Sequence, residues 1–599
     1  MHPAELKQIA RVTPPASDPG RVVDAWLEAF NQAVSSSSPE QMAPLFRGDS
    51  HWRDVLGLGW RLHTTSGREQ IASRLANAVS KFRPSAFTVD PDRCPPRAAE
   101  LAGVEVVEAI LRFETTIGRG AGLVRIRCSE AQSVPPAAWT LHTTLEAIEG
   151  HDESTLRAQR NEPVYARDFH APTWLERRTA NARYEDREPT VLIVGGGHAG
   201  LSTAARLGQL GVDTLVVDRE KRIGDNWRLR YRALMLHNQF HSNHLPYLPF
   251  PPTWQPYLPK DRIANWLEMY VDCMDINFWT EASFEGADFD SSANQWSARV
   301  RLRDEVRTLH PRHIILATSV SGTPRIPQIP ALERFEGEVL HSSEFEDGAS
   351  WRGRDVLIVG TGTSAHDIAQ DLHGHGARAT LIQRSPTAVL QVEPSAQLYE
   401  ELFLGPGPSL EDRDLINTSI PLKVMLESHK LITAKAKEHD RALLDGLEKK
   451  GFRVSYGVDG TGWPYLFRTR GGGYYFNIGC SDLIVNGQVG IVQADAIESF
   501  VREGAMMKSG QLLPADLIVL ATGFMGHEYM VSSLFGTEVA KRVGPIWGFD
   551  PDTQELRNMW MRTPQRGLWF AGGPFSHSRA YSKYLALQIK ATELGMIDA

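Results

Sequence analysis

Residues Thr190–Glu220 read TVLIVGGGHAGLSTAARLGQLGVDTLVVDRE. An apolar strand, Val191 to Val194, runs into Gly195-x-Gly197-x-x-Gly200, and a helical pattern and a second apolar strand follow. Each glycine has a mechanical reason. Gly195 allows the tight turn, Gly197 lets the backbone approach a pyrophosphate, and Gly200 lets the helix pack close to the strand. The helix start then offers unpaired N–H groups to phosphate. Asp218 closes the second strand 18 residues after Gly200, where an acid accepts from ribose hydroxyls. Asp218 and the adjoining Arg219 are therefore assigned to a dinucleotide. Strand, glycines, helix, strand and acid in register predict an α/β, Rossmann-like unit.

The pattern recurs at Arg354–Pro386, RDVLIVGTGTSAHDIAQDLHGHGARATLIQRSP. Its glycine positions are Gly360, Gly362 and Ala365, where alanine is small enough for the third place. The second strand ends in Arg384 and Ser385 with no acid. An acid repels a 2′-phosphate, whereas arginine pairs with it and serine donates to it, so NADPH is expected over NADH. Two dinucleotide sites in one chain imply electron transfer between two cofactors, with FAD expected at the first loop. Later, ADLIVLATGF supplies a strand at Leu517 to Leu520 and then Thr522 and Gly523, assigned to cofactor binding. The closing strand-to-helix unit, GLWFAGGPFSHSRAYSKYLALQIKATELG, is expected to complete the first sheet and bring Gly572 and Gly573 over the flavin.

The 599 residues leave room for three or four domains of about 150 residues each. Hydrophobic residues at 42% and charged residues at 23% are ordinary for a soluble globular chain. The net charge of -8 comes with no basic block, which argues against nucleic acid. Cys94, Cys128, Cys273 and Cys480 are far apart and form no CxxC, which argues against a disulfide framework and a zinc site and fits a reducing cytoplasm. No apolar signal core or membrane-length run is present. His237, His241 and His244 cluster without an acidic or cysteine partner, so no metal is expected.

Three further regions have their own grammar. Residues 1–160 carry amphipathic helices and then strand-like runs such as VEVVEAILRFETT, which predict a small α+β domain. Within it Trp52 to Asp54 is expected as a turn. Residues 161–188 are charged and read as a linker. About 390–450, apolar helical stretches interrupt the second unit; a substrate lid and a dimer contact are equally open. The expected domains are thus 1–160, the linker 161–188, a FAD unit of 189–345 with 490–599, and an NADPH unit of 346–489.

GGGHAG, GTGTSA, LATGF and the linking FEGEVLHSSEF together resemble the class B flavoprotein monooxygenases. The family's linking motif is FxGxxxHxxx followed by Phe or Tyr, and Phe335, Gly337, His341 and Phe345 match it. GDNWRLRYRALMLHN also resembles the auxin-forming, YUCCA-like relatives, and residues 1–160 resemble the NTF2-like (SnoaL-like) cone fold of longer type II enzymes, which implies a pocket with His51, Asp54 and His63 as its polar residues, against a packing or oligomerisation module as the plainer alternative. The resemblance covers about 188–599. It implies a FAD- and NADPH-dependent monooxygenase that inserts one oxygen atom of O2 into a small organic substrate through a C4a-(hydro)peroxyflavin. N- or S-oxygenation and Baeyer–Villiger oxidation both stay open. It places Trp227 and Arg228 near FAD, Asn238 as the active-site asparagine, and His341 at the domain joint, as a geometric and not a proton-transfer group. A cytoplasmic homodimer is expected. The alternative is an NAD(P)H oxidase or reductase on the same plan, which the lack of CxxC disfavours; a non-catalytic scaffold is disfavoured by the intact loops.

Overall fold

Short, mostly apolar strands build two parallel sheets here, and in each sheet one strand, Val191–Val194 or Asp355–Val359, runs into a glycine turn. In this computed structural model, residues 18–130, 135–153, 170–319 and 322–598 are described. The first sheet orders its strands Asn277–Trp279, Thr214–Val217, Val191–Val194, His313–Leu316 and Leu568–Phe570, all parallel. Each of the middle three is buried along its whole length, as expected of strands covered on both faces. The C-terminus therefore completes this sheet, and the helix Phe575–Glu593 packs on the helix His198–Gln209 that follows the first loop.

The second sheet orders Glu338–His341, Leu517–Leu520, Asp355–Val359, Arg378–Gln383 and Gly490–Gln493, again parallel. This corrects the expected boundaries. Residues 338–341 and 490–520 pair with the second unit, not the first, because His341 lies in register with Leu520 and Val359 also pairs with Leu520. Small antiparallel meanders, 282–309 and 497–514, accompany the two sheets.

The insertion is helical as expected, but it runs further. Helices Leu410–Thr418, Leu422–His439 and Arg441–Lys449 are followed by Gly462–Arg470. Of the linker, residues 161–169 lie outside the described residues. Trp174–Arg183 forms a helix with a Thr173–Glu176 capping box, and Tyr184 is buried with its hydroxyl donating to Asp213 at 2.7 Å.

The N-terminal unit is α+β. Its sheet runs Leu62–Ser66, Phe46–Val55, Ala138–Ile148, Gly118–Arg127, Val104–Thr115 and Ser85–Val89, with Arg97–Leu101 also on Val104–Thr115. Helices Pro19–Ser36 and Arg68–Phe82 bury one face each against it. One expectation fails: Trp52 to Asp54 is no turn but the middle of a strand, paired with Leu141 to Thr143. Trp52, Arg53 and Asp54 are all buried, so the polar pair that looked like turn chemistry is instead partnered inside the protein. The core of this unit is continuous with that of the first dinucleotide unit.

Candidate active site

The first loop is shaped by contacts that only glycine tolerates. Gly195 has φ +109°, and a Cβ there would stand 2.5 Å from the Ala317 carbonyl oxygen. A Cβ on Gly200 would stand 2.1 Å from the Gly195 oxygen. Gly197 caps the helix His198–Gln209 with no side-chain acceptor, so the first N–H groups of that helix stay available. Asp218 accepts from the Gly196 N–H at 2.6 Å and the Glu220 N–H at 3.0 Å, which draws the strand end against the loop. This cradle fits a pyrophosphate with a ribose beside it.

Several neighbours were not evident in the sequence. His198, inside GGGHAG, donates from Nε2 to the Gly573 carbonyl at 2.9 Å and stacks on Phe575 at 4.1 Å. It clamps the C-terminal glycine turn to the first loop. His577 has a buried Nδ1 with no partner, and a Cβ on Gly573 would lie 3.3 Å from that nitrogen. A donor left unpaired beside the expected ring site fits a flavin there. Trp227 packs in the same cluster, 5.9 Å from Phe575. Arg228 is differently employed: its guanidinium donates to Ile223 O, Asp225, Asn265 and Glu268, so it braces the loop. Arg219 is exposed and pairs with Glu220.

The second loop is more open. Gly360 has φ +129° with the Ala521 oxygen 2.4 Å from its would-be Cβ, but nothing lies within 4 Å of a Cβ on Gly362. Gly362 caps the helix Thr363–Gly374 without a side-chain acceptor, and Ala365 is wholly buried. Arg384 and Ser385 are exposed at the strand end. This arrangement fits a second dinucleotide with its adenosine end at the surface.

His341 sits at the joint and is absent from the cavity wall described below. Nε2 donates to the Gly523 carbonyl at 3.0 Å, and Nδ1 accepts from the Ser343 hydroxyl at 2.8 Å. Both nitrogens are occupied and burial lowers its pKa, so the neutral ring ties the linking motif to the Thr522–Gly523 turn. Its two ring contacts place it to position the joint, and the ring does not reach the cavity. The Thr522 hydroxyl donates to the Arg325 carbonyl at 2.6 Å, and the Arg325 N–H donates to the Gly523 carbonyl, so this turn too is held by protein groups.

Asn238 lines a cavity of about 410 Å³, a size suited to a small molecule. Its side-chain amide donates to Glu400, which burial pushes up to about 7 against the pull of Asn238 and Ser242. Tyr399, Ile416, Met425, Trp463 and Phe467 of the insertion line the cavity, as do Pro574 and His577 of the C-terminal turn and helix. The N-terminal unit adds Arg53, Leu62, Arg97 and Arg125 to the wall. Arg53 donates to both Glu555 oxygens at 2.8 and 2.6 Å, to Tyr581 at 2.9 Å, and to the Thr418 carbonyl, so it bridges three regions. His51 and His63 stay outside the wall, and Asp54 is buried on Thr143. Among the described residues there is no group of three metal-ligating side chains and no helix long and apolar enough to cross a membrane.

A Pyridine nucleotide-disulphide oxidoreductase family model matches residues 189–403. Indole-3-pyruvate monooxygenase YUCCA1 of Oryza sativa subsp. japonica is 30% identical over 354 residues, which is 59% of this chain and 81% of that protein. Probable indole-3-pyruvate monooxygenase YUCCA9 of Arabidopsis thaliana is 31% identical over 338 residues, 56% of this chain and 75% of that protein. Among solved structures, a cyclohexanone monooxygenase mutant from Rhodococcus sp. Phi1 bound to NADP+ has a TM-score of 0.50 at 16% identity, covering 68% of this chain and 86% of that one, which speaks for the fold alone. With the two dinucleotide cradles in place, the identity to the plant enzymes over most of their length shows that this chain belongs to the flavin monooxygenase family, oxidoreductases dependent on FAD and NADPH.

Proposed function

We propose that this chain binds FAD on the Gly195–Gly200 loop and NADPH on the Gly360–Ala365 loop, and oxygenates a small organic molecule held in the 410 Å³ cavity. The observation that carries this is the position of the cavity. Its wall includes Asn238, the insertion and Pro574, and Pro574 adjoins the Gly573 turn that His198 ties to the first loop. When bound, the flavin supplies the redox and oxygen chemistry. The protein's residues do the rest. Glu400 holds the Asn238 amide in one orientation, and His198 fixes the Gly573 turn. Aromatic side chains from the insertion keep water from the wall. N- or S-oxygenation and Baeyer–Villiger insertion both fit this arrangement.

The NTF2-like reading of residues 1–160 belongs to the same proposal. Two helices packed on one face of the sheet support it, and so does the cavity wall that the opposite side provides. Four cysteines without disulfides support a cytoplasmic setting. The test is product analysis by mass spectrometry on purified yellow protein supplied with NADPH and O2, over thioethers, amines, indoles and cyclic ketones. A product carrying one oxygen atom per NADPH consumed is expected. Hydrogen peroxide as the sole product throughout the panel would make the chain an oxidase.

A further inference from the structure

Among the non-exposed groups of the cavity wall, four arginines face three carboxyls, Glu108, Glu400 and Glu555. The arginines are Arg53, Arg97, Arg125 and Arg468. Arg53 is paired with Glu555, and Arg97 and Arg125 share Glu108 at 2.7 and 3.0 Å. Arg468 has no carboxylate: the contacts found among the described residues are Met425 Sδ at 3.1 Å and His577 Nε2 at 3.4 Å. A thioether is a weak acceptor and the imidazole contact is long, so the guanidinium is under-partnered. Burial lowers its pKa, Tyr581 opposes that and Arg53 adds to it. The guanidinium nevertheless stays protonated.

The neighbours give no relief. His577 and His429 are each pushed down to about 3, by burial first and then by Arg468, so both are neutral. Glu400, the remaining non-exposed carboxyl on the wall, is raised to about 7 and sits on Asn238. A second orphan points the same way: Trp463 Nε1 is buried on this wall with no acceptor. A half-buried guanidinium that faces a cavity without a counter-ion is placed to gain from an anionic ligand.

We propose that Arg468 is an anion-binding subsite of this cavity, and that its ligand is the carboxylate of a small organic acid that is the substrate. The guanidinium fork matches a planar carboxylate, and the aromatic wall of Tyr399, Trp463 and Phe467 takes an apolar body. This deepens the monooxygenase proposal and rests on it for the role of the bound acid, though not for its binding.

Binding is measured on the flavin-loaded protein with a matched pair, phenylacetate and phenylacetamide, by titration calorimetry and by perturbation of the flavin spectrum. Wild type should prefer the acid by at least roughly tenfold. Arg468→Met should erase the preference and Arg468→Lys should keep part of it. No preference in wild type, or an intact one in Arg468→Met, overturns the proposal. Should the methionine variant not fold, the wild-type pair and the lysine variant still decide. Increased peroxide release by Arg468→Met with its acid preference unchanged would assign the residue to the redox step, and the subsite falls. A preference for the acid without any oxygenated product leaves the subsite standing and removes the monooxygenase reading.

Discussion

The two glycine loops share one design and differ in tightness. In the first, the third glycine meets the backbone of the loop itself, Gly196 has a phenyl ring 2.4 Å from its would-be Cβ, and Asp218 pulls the strand end onto the loop. In the second, the third position holds a buried methyl group, Gly362 faces open space, and Arg384 stands exposed. The first loop is tightly pre-formed and the second is open; on the proposed assignment, the first holds a ligand that stays and the second admits one that comes and goes. That difference matches a flavin retained through turnover and a coenzyme exchanged each cycle. In physical terms, preorganisation lowers the ordering cost of binding, and openness speeds release.

The largest way to break the comparison is to give the first loop the alanine of the second. Gly200→Ala puts a Cβ within 2.1 Å of the Gly195 oxygen, a contact that backbone must move to relieve. Overpacking of this kind costs about 1–3 kcal/mol, and here the displaced atoms form the cradle. The variant should purify colourless; full flavin absorbance per chain would show that the loop is not as tight as it looks. Next in size is Asp218→Ala, which strips the acceptor from the Gly196 N–H. Hydrogen bonds to a charged acceptor contribute about 1.5–3 kcal/mol, so flavin affinity should fall roughly tenfold to a hundredfold. Fluorescence titration of the deflavinated protein measures it, and Asp218→Asn should recover part of the loss.

How much of this was legible in the sequence depends on how local each constraint is. Both loops, their strands and the C-terminal return to the first sheet were legible, because glycine spacing and apolar runs act over a few residues. The partner of Leu517–Leu520 was not: four buried apolar residues suit either sheet, and only pairing with Val356 to Val359 decides. Arg53 and Asp54 looked like turn residues because the carboxylate that satisfies Arg53 lies 502 residues away, at Glu555. A separation of 109 residues likewise hid the pair Arg468 and His577, which the chain contributes from separate helices. Glu400 was hidden for another reason: nothing in SAQLYEELF marks which of its acids is buried against Asn238. His198 had the clearest signal available, a histidine at the first helical position of a phosphate loop.

On the second loop the expected effects are smaller. Arg384→Ala should raise the NADPH KM about tenfold and leave the NADH KM nearly unchanged. The lower end of the charge-assisted range applies because Arg384 is exposed and solvent screens it. The gap between the coenzymes should narrow further as salt rises. Steady-state kinetics at two ionic strengths test both points, and an equal loss with NADH would place Arg384 on the adenine or the fold.

The smallest effect expected is from the reciprocal exchange, Ala365→Gly. It removes one buried methyl, about 0.8 kcal/mol of apolar burial, and puts glycine inside a helix, about 1 kcal/mol more. Both terms act on stability. Neither touches the open space at Gly362 or the exposed Arg384. The midpoint of thermal unfolding should therefore drop by a few degrees, at about 2–4 °C per kcal/mol for a domain of this size. Flavin content should stay full and the NADPH KM should stay within about twofold. The asymmetry is the point of the pair: the same one-carbon exchange empties the first loop and merely softens the second. If Ala365→Gly instead lost NADPH binding while Gly200→Ala kept its flavin, the second loop would be the preorganised one, and the assignment of retained and exchanging cofactors would have to be reversed.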